Sequence, residues 1–112
     1  MEVTVKQVEA LTVVALVGDI DGSSAPVAQA AILEQITPGQ GLIVDMSGVH
    51  YMSSAGLRML LSAYRSASAK NSKVALVGLT EDLQDTMAAT GFLDFFSTFT
   101  VLSAAVEALA KQ

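Results

Sequence analysis

Residues 42–57 read LIVDMSGVHYMSSAGL, and this stretch decides the fold. It opens on Leu42–Val44, which is apolar at consecutive positions and therefore predicts a strand covered on both faces. Asp45–Ser53 is expected to be a connection, and an amphipathic helix is expected from about Ala55 to Ala69. Apolar residues recur there at helical spacing: Leu57, Leu60, Leu61 and Tyr64. A buried strand followed by a helix is typical of α/β folds.

Strand and helix patterns alternate on both sides of this stretch. Val3–Val8 and Leu11–Val17 are rich in β-branched residues, and the few residues between them favour an antiparallel hairpin. Ser23–Pro26 predicts the start of a helix that ends before Pro38. The expected elements downstream are a strand over Lys73–Val77, a helix capped by Thr80, a strand over Phe95–Val101 and a helix capped by Ser103.

The resulting order, β-β-α-β-α-β-α-β-α, predicts an α/β fold. Strands separated by helices pair in parallel through right-handed crossovers. We therefore expect a mixed, mostly parallel sheet of about five strands, with an N-terminal hairpin and about four helices. The length of 112 residues fits one domain over residues 1–112.

Composition excludes several classes of protein. Six basic residues against eleven acidic ones give a net charge of -5, which argues against a nucleic-acid surface. The absence of cysteine excludes disulfides and thiolate metal ligands. No apolar run approaches the roughly 20 residues of a membrane span, and no signal peptide is apparent. We therefore expect a cytoplasmic protein without membrane insertion.

Two loops are expected at the carboxyl end of the parallel strands, where sites form in such sheets. One is Gly18–Asp21 and the other is Asp45–Gly56. The second loop opens a helix at Ser53 and Ser54, where free N–H groups and the helix dipole tolerate negative charge. A phosphate there would add up to roughly two negative charges beside Asp21.

Simpler explanations exist for the same residues. Ser is favoured at helix N-caps, so Ser53 and Ser54 are also explained by capping. Asp19 and Asp21 are also explained by turn chemistry. His50 is the only histidine, so a catalytic or metal-binding role for it has little support, and no nucleophile–His–acid set is recognisable in the sequence. We therefore expect no catalytic activity, no metal and no cofactor.

Asp45 offers a different interpretation, because response-regulator receiver domains also place a phosphate-accepting Asp after a strand. That interpretation requires an acidic pair after the first strand and a Lys after the last one. The acidic residues here follow a hairpin, and the last expected strand has no such Lys. A receiver domain is therefore the weaker hypothesis.

Three segments in register carry a family resemblance. VDMSGVHYMSSAGL, at residues 44–57, resembles the signature of the STAS family, and more narrowly of bacterial anti-sigma factor antagonists. GDID at residues 18–21 resembles an acidic loop of that family, and TGFLDFF at residues 90–96 resembles its later Gly-Leu-Asp segment. The element order matches along nearly the whole chain, which implies a single STAS domain with the STAS fold.

The resemblance implies a function. Such antagonists bind a serine kinase, the anti-sigma factor, which otherwise holds a sigma factor inactive. The kinase uses ATP to phosphorylate the antagonist and so ends the binding, and a PP2C-type phosphatase restores it. Ser54 aligns with the phosphorylated serine. Many relatives have Asp before that serine where this chain has Ser53, so Ser53 is the alternative acceptor.

The same resemblance suggests a surface for the kinase around the phosphorylated serine. The candidate partner-binding residues are Asp21, Met52, Ser53, Ser54, Ala55, Gly56, Leu57 and Arg58. Two other functions fit a STAS domain without a phosphorylation switch: a subunit of a lipid ABC transporter, or a signalling scaffold.

Overall fold

The computed structural model describes residues 1–110. It contains five strands and four α-helices. Lys111, one of the six basic residues, lies outside the described residues. The strands are β1 (Glu2–Val8), β2 (Leu11–Val17), β3 (Leu42–Gly48), β4 (Val74–Val77) and β5 (Ser97–Phe99). The α-helices are α1 (Ala25–Glu34), α2 (Ser54–Ala69), α3 (Glu81–Ala89) and α4 (Leu102–Ala110). The predicted order of strands and helices is confirmed, with one short 3₁₀ helix added at Phe92–Phe95.

The strands form one mixed sheet in the spatial order β1-β2-β3-β4-β5. β1 pairs with β2 in antiparallel fashion, and the pairs β2–β3, β3–β4 and β4–β5 are parallel. The hairpin turn places both Glu9 and Ala10 at positive φ, the twist that joins two strands through a two-residue loop. The predicted hairpin and mostly parallel sheet are confirmed.

Helices cover both faces of the sheet, but unequally. The larger core lies between the sheet and the helices α1, α2 and α3, and the smaller core lies under α4. Along β3, Val44 belongs to the first core and the adjacent Ile43 to the second. This two-sided burial explains why the central strands are apolar at consecutive positions.

β3 is longer than expected, so the prediction that Asp45–Ser53 is a connection is wrong for its first four residues. Met46 is buried in the larger core, whereas Asp45 and Ser47 alternate with it on the other face. The carboxylate of Asp45 accepts hydrogen bonds from the Ser47 N–H at 3.0 Å and from the Ser47 hydroxyl at 2.7 Å. These bonds allow a charged residue to remain within the strand.

The C-terminal elements also differ in their bounds. The last strand is only Ser97–Phe99: Phe95 belongs to the 3₁₀ helix Phe92–Phe95, and the strand ends before Thr100. The expected cap at Ser103 is wrong, since α4 begins at Leu102 and Ser103 lies inside its first turn. Thr80 does cap α3, and its hydroxyl accepts a hydrogen bond from the Leu83 N–H at 3.2 Å. Within residues 1–110, no helix combines the length and the apolarity that crossing a bilayer requires.

Candidate functional site

The two predicted loops lie side by side at the carboxyl ends of β2 and β3. The N–H of Gly18 donates to the carbonyl of Gly48 at 3.0 Å. Beyond the strands, the Ile20 N–H donates to Tyr51 and the Ser53 N–H donates to Ile20, at 2.9 and 2.8 Å. The pairing of β2 with β3 therefore continues as a short parallel bridge that reaches the start of α2.

Gly56 brings α2 close to this bridge. It lies in the first turn of the helix and is buried. A β-carbon on Gly56 would lie 2.9 Å from Cγ2 of Ile20 and closer still to Cγ of Met52. Real β-carbons do not approach other atoms so closely, so a side chain at this position would force Ile20, Met52 or the helix itself to shift.

Ser54 is the first residue of α2, and it is exposed to solvent. The first N–H groups of a helix have no acceptor within the helix, so this end carries partial positive charge. Ser54 therefore presents its hydroxyl beside backbone donors that favour a negative group. Arg58 follows one turn later and is also exposed.

Ser53 occupies the N-cap position of α2, with φ of -79° and ψ of 177°. Its carbonyl accepts the Leu57 N–H at 3.1 Å, but its side chain makes no capping hydrogen bond. Among the described residues its Oγ is buried and has no hydrogen-bond partner. Capping by the side chain therefore does not explain why a serine stands at this position.

Asp21 lies four residues before the first residue of α1, and its carboxylate organises the turn that leads into the helix. Its Oδ1 accepts hydrogen bonds from the Ser23 hydroxyl at 2.8 Å and from the N–H groups of Ser23 and Ser24 at 3.0 and 3.1 Å. These bonds, the Ser23 hydroxyl first, lower the pKa of Asp21 below its ordinary value because they stabilise the ionised form. Asp21 is thus anionic at neutral pH, and its carboxylate stabilises the turn that precedes α1.

The remaining predicted partner-binding residues divide by exposure. Arg58 is exposed, and Ala55 and Leu57 are partly buried. Met52 is 7% exposed and packs in the larger core, so it supports the loop from beneath. Gly56 is buried and has no side chain, so it likewise supports the site through close packing.

Two residues near the site were missed by sequence reasoning. Ile20 forms the bridge to Met52 and is fully buried, for which its aliphatic character between Asp19 and Asp21 was the available signal. Tyr51 is 54% exposed on the loop before α2. A large aromatic ring on a loop beside a candidate site is a common feature of protein interfaces.

Asp45 lies away from this arrangement. It alternates with Met46 along β3 and therefore points to the face that α4 covers, whereas Met46 points to the face that packs against α2. A receiver-type role for Asp45 at the Ser54 site therefore has no geometric support. Within residues 1–110 there is no group of three or more His, Cys, Asp or Glu that could hold a metal ion.

Comparison with known proteins identifies a matching family and similar relatives. The model of the STAS domain family matches residues 2–105. The chain is similar to an anti-sigma-B factor antagonist of Listeria monocytogenes, with 35% identity over 78 residues that cover 69% of this chain and 68% of the relative.

Solved structures share the fold. An anti-sigma factor antagonist from Mycobacterium paratuberculosis superposes with a TM-score of 0.84 at 24% identity, over 97% of this chain and 93% of that one. Unphosphorylated SpoIIAA superposes with a TM-score of 0.81 at 16% identity, over 99% and 98%. Bacillus SpoIIAA has also been solved in its phosphorylated form, with a TM-score of 0.72 at 16% identity over 95% and 97%.

The family match spans nearly the whole described chain, including the loop that carries Ser54. The protein therefore belongs to the STAS domain family, and the relatives named above include anti-sigma factor antagonists.

Proposed function

We propose that this protein is an anti-sigma factor antagonist that acts in the cytosol as a phosphorylation switch. Unmodified, it binds a serine-kinase anti-sigma factor through the surface around Ser54. Phosphorylation of Ser54 by that kinase ends the binding, and a PP2C-type phosphatase restores it. The protein is the substrate of this reaction rather than a catalyst.

One observation carries the proposal: Ser54 is exposed at the start of α2, in a chain with the family and relatives described above. The backbone hydrogen bonds from Ile20 and Ser53 hold the loops around it in one arrangement. A kinase can therefore meet a preformed surface, which reduces the entropy lost on binding. Ser53 is the weaker acceptor, because its Oγ is buried.

Arg58 gives the switch a charge that phosphate can oppose. It lies four residues after Ser54, and side chains at that spacing are neighbours on a helix surface. Arg58 is exposed and has no ion-pair partner among residues 1–110. In the unmodified protein it is free to contact an acidic group of the kinase.

A phosphate on Ser54 changes the same surface without refolding the domain. It carries roughly two negative charges and lies within reach of Arg58, so it competes for the guanidinium and repels acidic groups of the partner. The N–H groups at the start of α2 favour a negative charge, so the modified helix remains stable. Binding is therefore lost through charge and bulk.

The test combines phosphosite mapping with partner capture. The protein is isolated from its own cells across growth and stress conditions, and its phosphopeptides are identified by mass spectrometry. We expect a single phosphate on Ser54 whose occupancy varies with condition and which is absent from Ser54→Ala. Phosphate on Ser53 would move the acceptor by one residue and leave the mechanism in place.

Partner capture uses the unmodified protein as bait with ATP absent. We expect wild type and Ser54→Ala to retain the kinase, and Ser54→Asp to lose it by tenfold or more. Ser68→Ala, an exposed serine near the other end of α2, is the matched control and should behave as wild type. No phosphate under any condition, even with phosphatases blocked, would end the switch proposal and favour a transporter subunit or scaffold.

A further inference from the structure

The two edges of the sheet differ in a way that bears on self-association. β5 is an edge of three residues, and β1 is an edge of seven residues. An exposed edge presents unpaired backbone N–H and C=O groups, and proteins usually protect it by shortness, a proline or a bulge. β5 is protected by its length, whereas β1 is long, contains no proline and pairs with β2 without a register shift.

The side chains of β1 are mostly exposed. Val5 is 42% exposed, and Glu2, Thr4, Lys6 and Gln7 are exposed as well. Neither charged residue has an ion-pair partner among residues 1–110. Lys6 on an edge strand commonly discourages pairing, but only if it meets no acidic partner there.

We propose that β1 pairs with β1 of a second copy of this chain, in antiparallel fashion about a two-fold axis at Thr4. In this register Thr4 faces Thr4 of the second copy, Val3 faces Val5, and Glu2 faces Lys6. Directly opposed residues of an antiparallel pair share one face and interact. The two symmetric Glu–Lys pairs therefore form on one face and the two Val–Val pairs on the other.

The charges select this register among the alternatives. A shift of the axis to Val5 would set Glu2 opposite Val8 and Lys6 opposite Thr4, and would form no ion pair. If an even-numbered residue faced an odd-numbered one, the face of one sheet that α4 covers would continue into the opposite face of the other sheet, which α1, α2 and α3 cover. Only the axis at Thr4 joins equivalent faces and also pairs each Glu2 with a Lys6.

The proposed dimer leaves the Ser54 surface of each copy exposed. Glu2 pairs with Val17, so β1 begins at the end of the sheet that carries Ser54. The antiparallel arrangement places the second copy's β1 in the opposite direction, so the two Ser54 surfaces lie at opposite ends of one continuous ten-stranded sheet. This self-pairing is independent of the proposed phosphorylation switch.

A charge-reversal series tests the register. The association of the full chain is measured by sedimentation equilibrium at low salt, with increasing protein concentration. We expect wild type to dimerise reversibly and Lys6→Glu to raise the dimer dissociation constant about tenfold, because two favourable pairs become two repulsive ones. Lys70→Glu makes the same change in net charge on an exposed residue outside β1 and should dimerise as wild type does.

Mixing provides the sharper comparison. Glu2→Lys and Lys6→Glu should each dimerise poorly alone, but together they should form a heterodimer, because both cross-strand pairs become opposite in charge again. Circular dichroism confirms that each variant is folded. A monomer at every concentration, or a dimer indifferent to these charges, would overturn the proposal, the latter by placing the interface elsewhere.

A cross-link locates the axis directly. The chain has no cysteine, and opposed residues in an antiparallel pair have β-carbons about 5 Å apart, near the distance that a disulfide spans. Thr4→Cys should therefore form a disulfide-linked dimer on mild oxidation. Thr98→Cys, exposed on the opposite edge strand, is the matched control, and equal cross-linking of both variants would contradict the β1 interface.

Discussion

Gly56 is the residue at which the loops of the site meet α2. Its missing side chain allows the first turn of the helix to lie against Ile20 and Met52, which form the bridge between the two loops. The position of Ser54 two residues earlier therefore depends on this contact. A small residue is needed here for packing, whatever partner binds the surface.

Gly56→Ala should destabilise the protein by about 1–3 kcal/mol, the usual cost of adding atoms to a filled site. Alanine favours the helix more than glycine does, so a loss of stability would show that the steric contact dominates. Urea unfolding followed by circular dichroism measures the change in the free energy of unfolding. Gly22→Ala is the control, because a β-carbon there meets no atom within 4 Å. Equal midpoints for the two variants would contradict the role given to Gly56.

At the level of the element, α2 and α3 differ in how the hydroxyl residue at the N-cap position acts. Thr80 caps α3 through its side chain, whereas Ser53 stands at the N-cap of α2 with its Oγ buried and unpartnered among the described residues. A capping hydrogen bond stabilises a helix, while a buried hydroxyl without a partner costs free energy. The same kind of residue at the same position should therefore have opposite effects.

Thr80→Ala should lower the free energy of unfolding by about 1 kcal/mol, because α3 loses its cap. Ser53→Ala should leave it unchanged or raise it, because only an unpartnered hydroxyl is removed. Chemical denaturation of both variants beside wild type provides the measurement. A loss at Ser53 as large as that at Thr80 would mean that the Ser53 hydroxyl does support α2.

Local pattern was sufficient to predict most elements of this fold. The apolar run before Asp45 and the helical spacing after Ser53 identified β3 and α2, since both signals come from neighbouring residues. The extension of β3 to Gly48 was missed because Asp45 and Gly48 are typical of loops. The alternation of buried Met46 with polar Ser47 was the strand signal that outweighed them.

The site was only partly predictable, for a physical reason. The two loops could be placed at one end of the sheet, since the carboxyl ends of parallel strands meet there. The hydrogen bonds that join Ile20 to Tyr51 and Ser53 connect residues about thirty positions apart, and local sequence patterns do not encode such contacts. The burial of the Ser53 hydroxyl likewise results from packing.

For the molecule as a whole, the unequal covering of the sheet should give the helices on its two faces different local stabilities. Three helices pack on the face that carries the candidate site, and α4 alone packs on the other. The anchoring side chains of α4 are Ala105, Val106 and Leu109, of which one is small. Elements with few buried contacts open at lower free energy than the rest of a domain.

We therefore expect the backbone amides of α4 to exchange with deuterium faster than those of α2, as measured by mass spectrometry under native conditions. Leu109→Ala should increase the exchange of α4 further, because it removes a buried side chain that packs beside Gly41. The amides of α2 should keep their protection if α4 opens separately. Equal protection of the two helices in wild type, lost together in Leu109→Ala, would show instead that both layers unfold as one unit. Separate opening would mean that α4 can detach while the Ser54 surface on the other face of the sheet remains intact.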